Sequence, residues 1–318
     1  MNVKSSLKRF RSTGVLALLI VLICVIFSIT TGGLFITGMN IKNILVSSAL
    51  NGVVGIGMTF VLITGGIDLS VSGNVVMTSL VMAQMMKEGT PWVLVLVTGM
   101  IISTLVGLIN GISVGKFKMV AFIVTMAIGN ITKGYGKLFS NGMTVYGFPS
   151  VHGVFNKSLF GVIPGPVIMM IIIALIAFYI LRYTSYGRKL YAVGGNTTAA
   201  WMAGMKTSSI VIVAYMISGF LCGWGAILMT SKLMSASASI ASTLEMDAIA
   251  SCVLGGTSLS GGIGSVSGTI MGAIAIAMIS NGLNLMGVTP FAQEIFKGLI
   301  IFAVVALDAY QKKQLSAR

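Results

Sequence analysis

Charge is what this chain lacks most. Only 8% of its 318 residues are Asp, Glu, Lys or Arg, against about a quarter in soluble domains. A soluble surface cannot be made from so little. Cysteine is scarce too, and Cys24, Cys222 and Cys252 each stand alone in apolar sequence. That pattern argues against a disulfide framework and a Cys/His metal site. The single histidine, His152, has no base or nucleophile close in sequence and is expected to be solvated in an external loop. The two Gly-Lys pairs, Gly115-Lys116 and Gly136-Lys137, lack the upstream glycine and following Ser/Thr of a phosphate-binding loop. ATP is therefore not expected to bind this chain in the usual way. No cluster of His, Asp or Glu suggests catalysis or a metal, and none of the chain's own cofactors is implied. Nucleic acid is excluded as a partner despite 20 basic against 6 acidic residues, because in a membrane chain basic residues first report topology.

Hydrophobic residues are abundant: 56% of the chain, with mean hydropathy +1.02. Apolar runs fall at about 15–29, 44–63, 71–86, 92–114, 119–139, 162–181, 208–230, 246–254, 266–285 and 292–307. The expected fold class is therefore an all-α integral membrane protein of about ten transmembrane helices. The runs at 71 and 246 are shorter than the roughly 20 residues of a full span and suggest broken or re-entrant helices. With the N-terminus in the cytoplasm, the four basic residues before residue 12, Lys116, Lys118, Arg182, Arg188, Lys189, Lys206, Lys312, Lys313 and Arg318 fall inside. Lys42, Lys87, Lys133, Lys137, Lys157 and Lys232 fall outside. The excess inside favours cytoplasmic N- and C-termini. One membrane domain then fills residues 1–318, with cytoplasmic tails at 1–13 and 309–318 and a cytoplasmic loop at 184–207.

That loop is the most structured polar stretch. Gly194 and Gly195 are expected to break the backbone, Asn196 to cap a short helix and Gly204 to close it. Ala199, Ala200 and Ala203 share one face of that helix, which could press against another protein. Gly264, Gly268 and Gly272, and Gly219 with Gly223, recur at the four-residue spacing that lets helices approach closely. Gly65-Gly66-Ile67-Asp68-Leu69-Ser70 echoes Gly255-Gly256-Thr257-Ser258-Leu259-Ser260, a possible internal repeat. Both stretches are placed at the cytoplasmic face, where Asp68, Ser70 or Ser72 can cap the next helix.

Few ionisable groups fall within the apolar runs. Glu245 and Asp247 suit a helix start, where they complement the dipole, or a receptor contact. Glu294 and Lys297 could pair on one helix face, and Lys133 and Lys137 reach the interface. An ion-coupled secondary carrier, the rival reading, needs a midplane relay that these residues do not supply. Neutral polar residues, Asn110, Thr125, Asn281, Asn284 and Gln293 among them, could hydrogen-bond a polyhydroxylated solute or simply neighbouring helices.

Four stretches together resemble the ribose-type (monosaccharide) permeases of ABC transporters. They are Gly65 to Val71, the run from Gly187 and Arg188 through Tyr191, Gly194, Gly195 and Asn196 to Ala199, Ala200 and Gly204, the run from Asp247 through Gly255, Gly256 and Thr257 to Leu259, and Asn281 to Val288. They occur in the family's order. The resemblance implies a multi-pass protein of the bacterial inner membrane that pairs with a second permease copy, as a homodimer among lipid. It implies docking of separate ATP-binding cassette ATPases, which use ATP and Mg, and a sugar delivered by a solute-binding protein. The 196–204 helix would then be the coupling helix. Ala121, Lys133 and Trp201 depart from the family's usual residues, which leaves the solute open.

Overall fold

The computed structural model describes residues 3–159 and 161–316. Both expected tails, 1–13 and 309–318, lie in whole or part outside the described residues, including all their side chains. The helices run α1 Val3–Thr30, α2 Gly38–Ile63, α3 Val71–Lys87, α4 Trp92–Gly115, α5 Ala121–Ser140 and α6 Gly165–Tyr183. They continue with α7 Ser185–Gly195, α8 Thr197–Met202, α9 Thr207–Leu233, α10 Leu244–Leu254, α11 Val266–Leu285 and α12 Pro290–Ser316. Among the described residues five helices, α2, α4, α6, α9 and α11, are long and apolar enough to cross a membrane. The short runs at 71 and 246 become α3, of 17 residues, and α10, of 11.

Position in the bundle follows from burial. The most apolar window of α2 is 83% buried and that of α4 only 28%, so α2 is the central post and α4 an outer one. A membrane interior gives no hydrophobic drive for helix to meet helix, so close packing must do the work. Glycine provides it here. A side chain at Gly107 would collide with Tyr215 O, and one at Gly219 with Ser103 O. Gly111 and Gly115 lie on the same stripe of α4, facing Ile212 and Ser208 of α9. Gly268 and Gly272 of α11 likewise meet the backbone of Gly255 and Ser251 at and beside α10. The expected 219/223 pair and the 264/268/272 series thus all lie in close contacts, Gly264 from the loop before α11 and against the Ile63 side chain.

The bundle has two distinct ends. At one, residues 145–146 pair antiparallel with 235–236, and the 3-10 turn Ser150–Asn156 folds onto α9. His152 is not solvated there but fully buried. Its Nδ1 accepts from Trp92 Nε1 at 3.2 Å, so its Nε2 carries the hydrogen and donates to Thr230 Oγ1 at 2.9 Å. A second proton would set two donors face to face, and burial lowers the His152 pKa to about 4. At the other end, the turns after α2 and α10 meet the 184–207 segment.

Two outcomes follow. Gly219→Val should abolish folded protein by detergent-phase size exclusion, while Gly134→Ala, with open space at that position, should gain up to about 1 kcal/mol. His152 is charged more readily when unfolded, with its ordinary pKa near 6.5. Its contribution is therefore fully present above pH ~6.5 and lost as pH falls towards 4. The melting temperature in detergent should drop over that window, and His152→Gln should flatten the drop.

Candidate functional site

Asp68 lies in the turn between α2 and α3, 1% exposed, and no lysine or arginine pairs with it among the described residues. Neutral donors surround it instead. Oδ1 accepts from Ser70 N at 3.0 Å and Ser70 Oγ at 2.6 Å, and Oδ2 from Ser218 Oγ at 2.9 Å. Asn110 of α4 donates to Ser70 Oγ at 2.6 Å and lies 3.5 Å from Oδ1. The expected capping role is corrected by this. Ser70 occupies the N-cap position of α3 without a side-chain cap bond, and Ser72 Oγ is buried without a partner. The carboxylate instead ties its own turn to α9, while Asn110 brings in α4.

The rest of the turn is held from two further sides. Thr125 of α5 accepts from Leu69 N at 3.0 Å and Tyr215 of α9 donates to Ile67 O at 3.3 Å. Of the preceding glycines, Gly65 sits against the α10–α11 loop and Gly66 against the Tyr215 side chain. Gly65 is left-handed at φ +82, and Gly262 N donates to Ile63 O at 2.9 Å. Gly256 is also left-handed, at φ +83. The positive φ thus falls on the first glycine of one pair and the second of the other, so the echo in letters is not matched residue by residue in the backbone. Thr257 Oγ1 is buried and unpartnered.

The 184–207 segment packs on these turns as two helices. Gly194 and Gly195 do not break the backbone: α7 runs through both, and position 194 must be glycine because a side chain there would collide with Ile63 O. Tyr191 Oη donates to Gly264 O at 2.8 Å. Gly187 is buried against the carbonyls of Ile180 and Leu181. Asn196 then caps α8 by accepting from Ala199 N at 2.9 Å, and Gly204 closes it at φ +79. Ala200 is the correction: it is 5% exposed and packs into the protein's own core. The outward face carries Arg188, Gly195, Asn196 and Ala199, with Trp201 67% and Met202 75% exposed.

The polar residues considered for a path are divided between the ends. Asn110 and Thr125 belong to the Asp68 cluster. Asn281 exchanges two amide hydrogen bonds with Asn40, at 2.9 and 2.8 Å, and so joins α11 to the start of α2. Asn284 is exposed, and Gln293 donates to Val288 O at 2.9 Å. Lys297 reaches Asp247 at 2.9 Å rather than Glu294, and Lys133 lies 3.6 Å from Glu245. Ser218 and Tyr215 had no signal in the sequence beyond lying in an apolar helix.

Residues 40–305 match the model of the branched-chain amino acid transport system / permease component family, most of the chain. The chain belongs to that permease family. Its curated relatives include the ribose import permease of Bacillus subtilis strain 168, 38% identical over 86% of each chain. The ribose import permease of Haemophilus influenzae is 37% identical over 92% of this chain and 91% of its own. The D-allose transport system permease of Escherichia coli K12 is 33% identical over 91% and 89%. No solved structure matches the chain. These relatives are permeases by name and not enzymes, and this permease is a multi-pass inner-membrane protein.

For this permease, Asp68→Ala strands at least two buried donors at about 1–3 kcal/mol each. It should lose about 2–6 kcal/mol of stability, read as a lower unfolding midpoint in detergent, with the exposed Lys87→Ala as an unaffected control.

Proposed function

We propose that this chain is the membrane subunit of an ABC importer for a monosaccharide of the ribose class. It would work as a pair of copies, with both termini in the cytoplasm and ten spans between them. Separate ATPases would use ATP and Mg, and a solute-binding protein would deliver the sugar on the outer face. The observation that carries this reading is the match to sugar permeases along nearly the whole chain. The α7–α8 segment gives it a mechanical basis. Its inner face is fastened to the bundle through Gly194, Tyr191 and Ala200. Its outer face presents a capped short helix with Trp201 and Met202 unburied.

On this reading α8 seats in the ATPase, and closing of two ATPases pushes α7–α8 against Ile63 and Gly262. The displacement passes to the turn at 65–70 and, through Asp68, to α4 and α9. Water and sugar hydroxyls would be admitted from one side at a time.

Gly195→Trp tests the docking face. A side chain there meets nothing within 4 Å in this chain, so folding should be unchanged while co-purification with the ATPase and sugar uptake both fall at least tenfold. Wild-type uptake by that variant would remove α7–α8 as the docking element. Ala200→Trp, by contrast, should damage the fold itself.

A further inference from the structure

Two salt bridges occur among the described residues, and both converge on the first turn of α10. Lys133 comes to Glu245 from α5 and Lys297 comes to Asp247 from α12. Lys133 is seven residues before the end of α5 and Lys297 seven after the start of α12. At 1.5 Å per residue each stands about 10 Å inside its helix, measured from the end that carries the 145–146 and 235–236 strand pair. Their neighbours on those helices, Ile131 and Tyr135, Ile295 and Leu299, are apolar and exposed. Charges at such depth face protein or water, not lipid.

None of the four side chains is sealed. Lys133 and Glu245 keep 31% and 15% of their surface accessible, Lys297 and Asp247 16% and 12%. Glu245 Oε2 is itself buried without a partner, a spare acceptor. Two ammonium groups and two carboxylates sum to no net charge, so the cluster offers donors and acceptors without selecting an ion. That is the chemistry a hydroxyl needs, since it both donates and accepts.

We propose that the Lys133–Glu245 and Lys297–Asp247 pairs form a solute subsite in the outer half of the translocation path, binding hydroxyl groups of a neutral polyol. This rests on the importer reading above. The pairs hold each other when the path is empty and exchange part of their bonding for sugar hydroxyls when it is filled.

The test uses the complete complex in proteoliposomes with its ATPase and receptor, and with Cys24, Cys222 and Cys252 replaced by serine. Glu245→Cys and Lys297→Cys are treated from the receptor side with a membrane-impermeant methanethiosulfonate. Modification at least tenfold faster in one nucleotide state than in the other is expected at both positions. Glu245→Gln should cut ribose uptake at least tenfold while receptor-stimulated ATP hydrolysis changes less than threefold. No modification in either state makes these pairs closed structural bonds and overturns the proposal. Equal modification in both states with unchanged Glu245→Gln uptake makes them an outer surface and also overturns it. Failure of the importer reading shows separately, as an unmodified complex that takes up no sugar with ATP.

Discussion

A carboxylate buried among neutral donors organises the end of this bundle where the α2–α3 turn lies. Asp68 has no cation to offset its desolvation, so its environment must supply dipoles instead, from Ser70, Ser218 and, through Ser70, Asn110. Such a group is costly unless every bond is made. That requirement fixes where the α2–α3 turn stands against α4 and α9 together. Thr125 and Tyr215 hold the same turn through its backbone. The turn then fixes the position of the α10–α11 loop, because Gly262 bonds the last residue of α2. On that platform α7 rests.

Backbone contact at glycine makes the arrangement stiff. Where Gly107 faces Gly219, and Gly268 faces Gly255, main chain touches main chain with no side chain to yield. Such interfaces move as units or not at all. The end that carries the 145–146 and 235–236 strand pair is tied by the Asn40–Asn281 amide pair, two ion pairs and the buried His152.

Much of the helical order was legible because long apolar runs and glycine spacing are local signals. Asn196 as a cap and Gly204 as a stop were readable for the same reason, each being decided within four residues. What escaped was decided at a distance. Gly194 and Gly195 look like breakers in sequence, yet α7 runs through both, and the glycine at 194 is there because Ile63 O leaves no space for a side chain. Ala200 appeared to belong to an outward face, but α8 turns it into the core and leaves Trp201 outside. Lys297 met Asp247 across 50 positions rather than Glu294 three away, and His152 found Trp92 and Thr230. Pairings across helices carry no periodicity, so a single sequence gives them no mark. The family match names the transport class, while the partner of each polar group came from the fold.

If movement of α7–α8 by ATPases drives sugar through this bundle, radiolabelled ribose enters proteoliposomes containing the purified complex only with ATP available to the ATPases and the solute-binding protein on the opposite side, unaltered by proton and sodium ionophores. Uptake by this chain alone, driven by an ion gradient and indifferent to ATP, would contradict it.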